Sequence, residues 1–242
     1  MTTLLATERI KLFTTRSPWW SAFLALGLTI GFAGLVALNH NGGPLRVEHS
    51  QFGIQFGLMV VTVMAALAIT TEYRFATIRA TFQAVPNRTS ALLAKTTVVA
   101  VLAAVIGEVA AFGSWATVKV IDGGGPELAI TTGADWRMVA GAGLVFGIAA
   151  VIAVAVGTLV RQSAGAISIL LIWPLLVENL VQLIPGAGDD IHNWMPFTVA
   201  GRFLNGPGPD APLSAWGSLF YFAAVAAVLL LAAITAVNKR DA

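Results

Sequence analysis

The residues with the clearest capacity for recognition lie in a polar segment between two strongly apolar runs, from Glu72 to Lys95. The basic residues of this segment are Arg74, Arg79, Arg88 and Lys95. Only Glu72 balances their charge within the segment. Because the flanking sequence is so apolar, the segment must lie in water or at a membrane surface. We therefore interpret it as a cytoplasmic element that docks a soluble partner.

The spacing of this segment predicts an amphipathic helix. At about 100° per residue, Phe75, Ile78 and Phe82 share a stripe about 60° wide. Glu72, Arg79 and Gln83 fall on the adjoining stripe. We expect one helix over 72–83, with its aromatic side on the bilayer or the helix bundle, and we expect Pro86 to end it. The alternative is an ordinary positive-inside loop, which needs charge but no amphipathic order.

Two acidic residues fall inside apolar runs that are long enough to cross a bilayer. Glu108 lies near the middle of the third such run, and Glu178 lies in the outer half of the fifth. An ionisable group inside a membrane usually faces protein or a wet cavity, so one interpretation is a cation-attracting or gating site in a translocation path. The structural alternative is an acid hydrogen-bonded to a neighbouring helix. For Glu178, Gln182 is a candidate partner four residues on.

Other kinds of chemistry find no support in the sequence. A P-loop requires Gly-x-x-x-x-Gly-Lys-Ser/Thr, and the chain has no such motif, so we expect no nucleotide cofactor in this chain. A process that consumes ATP would need an ATPase on another polypeptide. The chain has no cysteine, and its histidines and Glu48 match no compact ligand pattern, so we predict no metal site. A net charge of +2 gives no reason to expect nucleic acid as a partner. The sequence has no Ser, His and Asp residues positioned for hydrolysis, so it gives no indication of an enzyme.

The composition predicts which elements position these residues. Hydrophobic residues make up 57% of the chain and charged residues 11%, against about 25% charged in an ordinary soluble domain. Charge-free runs of about 20 residues indicate membrane-spanning helices surrounded by lipid, not a barrel. We predict a single all-α membrane domain with spans at about Trp19–Leu38, Phe52–Thr71, Ser90–Val120, Trp136–Val160, Ala164–Ile184 and Leu213–Val237.

Shorter elements are expected at both ends of these spans. Residues 1–17 predict a helix lying in the headgroup region, and residues 185–212 predict an outer loop with short re-entrant or interfacial helices. Ten of the 14 Lys and Arg residues lie on the side of the termini, so both termini are expected to be cytoplasmic. Glycine pairs at 27/31, 53/57 and 143/147 predict close helix packing, either within one bundle or at a dimer seam.

One part of the polar segment resembles a known family. The polar segment resembles the first intracellular loop of type-2 ABC transporter permeases. The resemblance lies in the pattern Glu-Tyr-Arg-x-x-Thr-Ile-Arg-x-Thr, which begins at Glu72, and in the Leu-Leu-x-Lys that ends at Lys95. These permeases are the membrane subunits of bacterial, notably actinobacterial, exporters. The opening Glu-Arg-x-Lys-Leu from Glu8 also resembles that family. The resemblance implies an N-terminal connecting helix and a coupling helix in the loop 72–89. It implies an ATPase-docking surface made by Glu72, Tyr73, Arg74, Thr77, Ile78 and Arg79.

The resemblance also implies a function. It predicts a permease subunit in a bacterial cell membrane that moves a hydrophobic or amphipathic compound, such as an antibiotic or a lipid, out of the cytoplasm. The partners would be a separate ABC ATPase subunit, membrane lipid, and a second permease copy or a paralogue. A non-transporting immunity, sensor or scaffold subunit would use the same docking helix. A proton-driven transporter acting through Glu108 is a third hypothesis.

Overall fold

The computed structural model describes residues 2–40, 42–85, 87–208 and 211–239. Within these ranges the chain is helical and contains no strand, which confirms the all-α class. Pro86, predicted to end a helix, lies outside the described residues, as do Arg240 and Asp241 of the charge count. In chain order the helices are α1 Thr2–Thr14, α2 Arg16–Asn39, α3 Val47–Ser50, α4 Ile54–Arg74, α5 Thr77–Ala84, α6 Arg88–Ile121, α7 Gly133–Ala140, α8 Ala142–Val160, α9 Ser163–Ile172, α10 Glu178–Val181, α11 Gly188–His192, α12 Pro196–Asn205 and α13 Ala215–Lys239.

Six helical stretches in the described ranges are long and apolar enough to cross a membrane. They are α2, α3 with α4, α6, α8, α9 with α10, and α13. A π-helical turn over Trp173–Val177 joins α9 to α10, and Pro174 lies inside this turn. Because proline lacks the N–H that an α-helix needs, the wider turn fits its position. The fold is therefore a bundle of six long apolar helices with short helices at its ends.

The predicted fourth span is divided in the structure. Helix α7 ends at Ala140 and α8 begins at Ala142, so Gly141 separates them. A Cβ at Gly141 would lie 2.6 Å from Cε1 of Phe203 in α12, so only glycine lets that ring pack here. The span predicted at about Trp136–Val160 therefore corresponds to α8, Ala142–Val160, and the start of the predicted range lies in the separate helix α7.

Helix α8 is the centre of the bundle. It packs against α4, α6, α9 and α13, and most of its side chains are buried. Small residues at its contacts allow the neighbouring backbones to approach closely. For example, a Cβ at Gly157 would lie 2.7 Å from Ile69 in α4. The buried ring of Phe146 fills the space beside Gly107 of α6.

The three glycine pairs fall into two groups. Positions 53 and 57 lie against Thr29 of α2, and positions 143 and 147 lie against α6. In contrast, a Cβ at Gly27 or Gly31 would meet no atom within 4 Å. These two glycines belong to an exposed apolar face of α2, which also includes Trp20, Phe23, Leu24, Leu35 and Leu38. This face is free for contact with lipid or with another protein.

Candidate functional site

The polar segment predicted as one helix consists of two helices. Helix α4 ends at Arg74, and α5 begins at Thr77. Between them Ala76 adopts a left-handed conformation with φ of 57°. The chain turns there because the N–H groups of Phe75 and Ala76 bond to the carbonyls of Thr71 and Tyr73 and close α4. The prediction of a continuous helix over 72–83 was therefore wrong.

The break separates the six predicted docking residues into two sets. Arg74, Thr77 and Arg79 are exposed, so they are accessible to a partner. Glu72 and Tyr73 are half-buried in the last turn of α4, and Ile78 is buried. The break also divides the predicted aromatic stripe. Ile78 and Phe82 pack on the core while Phe75 is 67% exposed.

Aromatic and guanidinium contacts hold this end of the bundle together. The Arg161 guanidinium lies 5.2 Å from the centre of the Tyr73 ring, and the Arg88 guanidinium lies 5.4 Å from the centre of the Phe82 ring. Arg88 Nη1 also donates a hydrogen bond to the carbonyl of Val237 at the end of α13. These contacts join α4, α5 and α6 to α13 and to the α8–α9 turn. Helix α5 is therefore seated on the ends of the long helices.

A buried ionic network, here called the charge quartet, lies beneath α5. It consists of Glu8 and Lys11 from α1, Glu72 from α4 and Lys95 from α6. Lys95 Nζ lies 2.5 Å from Glu8 Oε2 and 3.0 Å from Glu72 Oε1. Lys11 Nζ lies 2.9 Å from Glu8 Oε1 and donates to Thr81 Oγ1 of α5 at 3.1 Å. The quartet therefore ties α1, α4, α5 and α6 together.

The charges of the quartet stabilise one another in a site with little solvent. Glu8 and Lys95 are 7% and 6% exposed. Burial alone would raise the pKa of Glu8, but the ammonium groups of Lys95 and Lys11 outweigh it and lower the pKa. Burial would lower the pKa of Lys11, yet Glu8 and Glu72 raise it. Both residues of α1 are therefore held in their charged forms.

A cleft of about 600 Å³ opens beside the charge quartet. Residues of α1 form one wall, and the end of α4, the side of α5 that carries Thr77 and Thr81, and the start of α6 form the rest. Half of the 20 lining residues are apolar, and the other half are six threonines and the four residues of the charge quartet. One carboxylate oxygen of the quartet, Glu72 Oε2, is buried and has no hydrogen-bond partner. The cleft thus combines apolar walls with a charged end.

Glu178 occupies a different site from the one that a translocation path predicts. Its side chain is 2% exposed and lies at the N-terminus of α12. Oε1 accepts hydrogen bonds from Trp173 Nε1 and the Phe197 N–H, and Oε2 accepts from the N–H and hydroxyl of Thr198. The hydrogen-bond donors to the Glu178 carboxylate are therefore these groups, and not Gln182, the candidate partner from the sequence. The carboxylate caps a helix whose first N–H groups need acceptors, which favours the structural interpretation of this residue.

Glu108 lies against α8 and is half-buried. A Cβ at Gly143 would lie 2.5 Å from Glu108 Oε1, so the glycine makes room for the carboxylate between the two helices. The structure therefore does not bring Glu108 together with Glu178 in one site. The residues that it brings together are those of the charge quartet.

Sequence reasoning missed this network for a simple reason. Glu8 and Lys95 are 87 residues apart, and a single sequence carries no signal that two distant residues meet. A cation inside the predicted third span was the available clue, since Lys95 needs a partner there. Comparisons add no further identification: no protein-family model and no curated protein matches the chain.

Proposed function

We propose that the chain is the membrane-spanning permease subunit of an ATP-driven ABC exporter. It resides in the bacterial cell membrane with both termini in the cytoplasm. A separate ABC ATPase subunit binds ATP and Mg²⁺ and docks on α5 with the adjoining end of α4. The cargo is a hydrophobic or amphipathic compound such as an antibiotic or a lipid.

The observation that carries the proposal is the two-sided character of α5. Thr77 and Arg79 are exposed on this short helix, whereas Ile78 is buried against the bundle. Thr81 on the same helix accepts a hydrogen bond from Lys11 of the charge quartet. A force applied to the exposed side therefore reaches the long helices α4 and α6 through buried contacts. This is what a subunit moved by an outside motor requires.

A second permease copy, or a close paralogue, completes the assembly. The exposed face of α2 supports this part of the proposal, because it is apolar and has two glycines one turn apart at its middle. Such a surface allows two helices to approach closely in a bilayer. The cargo path would lie between the two copies, where leucine, valine and phenylalanine side chains suit an apolar compound.

The decisive experiment reconstitutes the chain with the P-loop ATPase encoded nearest to it. We expect the two to co-purify, and we expect the permease to stimulate ATP turnover. The variant Arg79→Glu should insert normally but lower the stimulation at least about tenfold, because a guanidinium at an interface is a frequent source of binding energy. Arg46→Glu is the control, since Arg46 is exposed before α3 at the other end of the bundle.

The outcome separates two classes of protein. Stimulation that Arg79→Glu removes and Arg46→Glu retains supports the exporter. Co-purification without stimulation would refute coupling and favour a scaffold or sensor subunit. Unchanged stimulation in Arg79→Glu would refute the docking surface.

Orientation has its own test, because the chain contains no cysteine. Single cysteines replace Thr77 on α5 and Gly42 in the loop after α2, both of which are exposed. A membrane-impermeant maleimide added to intact cells should label Gly42→Cys and leave Thr77→Cys unlabelled. Labelling of Thr77→Cys from outside would show that the orientation is the opposite of the proposed one, and it would refute the proposal.

A further inference from the structure

The side of α1 that faces away from the bundle carries cationic and apolar side chains together. Arg9 is exposed on this side, Ile10 is 59% exposed and Phe13 is 38% exposed. Because Arg9 and Phe13 are four residues apart, they lie on successive turns of the same side of the helix. Leu12, in contrast, packs against the core of the bundle. Helix α1 therefore has one side on the bundle and one side that meets its surroundings.

The positive charge of this surface has no counter-ion within the described part of the chain. Glu8 is the only acidic residue of α1, and it is buried in the charge quartet. Arg16, the first residue of α2, is exposed like Arg9. Among the described residues, neither arginine takes part in a salt bridge or a side-chain hydrogen bond. Both guanidinium groups therefore remain available to an anion from outside the chain.

Aromatic contacts link this surface to the start of an apolar helix. Trp19 Nε1 donates a hydrogen bond to the Phe13 carbonyl at 3.2 Å, and the centres of the two rings lie 5.5 Å apart. Trp19 and Trp20 are both exposed at the start of α2, which is long and apolar enough to cross a membrane. Tryptophan is enriched at the interface between membrane and water. If α2 crosses a bilayer, Arg16 and the end of α1 therefore lie among the lipid headgroups.

We propose that the outer side of α1, together with Arg16, binds membrane phospholipids of net negative charge, such as phosphatidylglycerol. The guanidinium groups of Arg9 and Arg16 donate to the phosphate oxygens, because their planar fork of N–H donors matches a phosphate. Ile10 and Phe13 contact the first part of the acyl chains. A free phosphate ion would use the arginines but leave these apolar side chains uncovered. The inference requires only that the apolar helices cross a bilayer, and not that the chain exports a cargo.

The net charge of the lipid head makes this binding selective. Phosphatidylcholine offers the same phosphate, but its quaternary ammonium cancels the negative charge. Each basic residue near an anionic lipid surface contributes about 1 kcal/mol, which corresponds to a factor of about five in affinity. With identical acyl chains and two arginines, we therefore expect phosphatidylglycerol to be retained roughly 25-fold more than phosphatidylcholine.

Native mass spectrometry of the purified full chain, loaded with equal amounts of the two lipids, measures this preference. Arg9→Gln or Arg16→Gln alone should lower it about fivefold, and the two together should remove most of it. Arg46→Gln with Lys119→Gln is the matched control, because it changes the net charge equally at the other end of the bundle. Arg46 precedes α3, and Lys119 lies near the end of α6. The control should therefore retain the preference.

Equal retention of the two lipids by the wild-type chain would overturn the proposal. An equal loss of preference in the control and in Arg9→Gln with Arg16→Gln would also overturn it, because the preference would then follow net charge and not this surface. Soluble glycerol phosphate, which has no acyl chains, should not displace phosphatidylglycerol. Displacement would show that the surface takes a free anion, and it would refute the assignment to lipid. These measurements involve no ATPase, so they fail independently of the exporter proposal.

Discussion

Replacing Lys95 with methionine tests whether the charge quartet holds this end of the bundle together. Methionine keeps much of the length of the side chain but removes the ammonium that donates to Glu8 and Glu72. Two carboxylates would then share the single ammonium of Lys11. Because Glu8 and Lys95 are nearly excluded from solvent, water cannot replace the lost partner.

The expected cost follows from this burial. Removing one partner of a buried ion pair costs about 3–5 kcal/mol, because the other charge is left uncompensated. Lys119→Met in the same helix is the control. Lys119 Nζ lies 4.8 Å from the centre of the Trp115 ring, and a cation–π contact of this kind is worth about 0.5–1 kcal/mol near the surface. The two substitutions change the same atoms in different surroundings.

Equilibrium unfolding in mixed micelles measures both costs. The double variant Glu8→Gln with Lys95→Met removes one charge of each sign and leaves Lys11 to pair with Glu72. Its cost should be less than the sum of the two single costs by about 1–3 kcal/mol, since the residues interact directly. Additive costs, or a Lys95→Met cost as small as that of Lys119→Met, would refute the buried network.

Three further predictions concern other parts of the structure. The pKa of Glu8 is lower in the folded chain than its ordinary value of 4.5. The ionised Glu8 side chain therefore contributes its full stabilisation above pH 4.5, and this stabilisation is lost as the pH falls through the pKa of the folded chain. Hydrogen exchange in α1 should rise only in that acid range. Glu178→Gln should destabilise the fold by about 1–3 kcal/mol, because an amide nitrogen then faces N–H donors. The control Asp190→Asn, on the exposed surface of α11, should change the unfolding free energy little. Equal stabilities of the two variants would contradict the capping role of Glu178. Gly143→Ala should lower the thermal unfolding midpoint, because the added Cβ would lie 2.8 Å from the Ala104 carbonyl oxygen. Gly27→Ala, whose Cβ would meet no atom within 4 Å, should leave the midpoint unchanged or raise it. A lower midpoint for Gly27→Ala than for Gly143→Ala would contradict the packing of α6 on α8.

The long helices were predictable because their signal is local. The first span was predicted at Trp19–Leu38, and the corresponding helix is Arg16–Asn39. The third was predicted at Ser90–Val120, and the corresponding helix is Arg88–Ile121. Uninterrupted apolar sequence determines such helices within a few residues, since each residue contributes independently to the preference for an apolar environment.

The candidate site was less predictable because its geometry depends on contacts between distant residues. The break at Ala76 has neither glycine nor proline to signal it, so the helical periodicity continued through it. The same break leaves Arg79 exposed on a helix separate from the one that carries Glu72. Glu178 was recognised as an unusual acid, but Thr198, in the first turn of the helix α12 that it caps, lies 20 residues further on.

The pairing of Glu8 with Lys95 constrains the order of biogenesis. Translation releases α1 first, yet its counter-ion on α6 is made 87 residues later. Until then the Glu8 carboxylate must stay hydrated, because burying it alone would be strongly unfavourable. The N-terminal helix can therefore dock in its observed position only after α6 has been made and supplies Lys95.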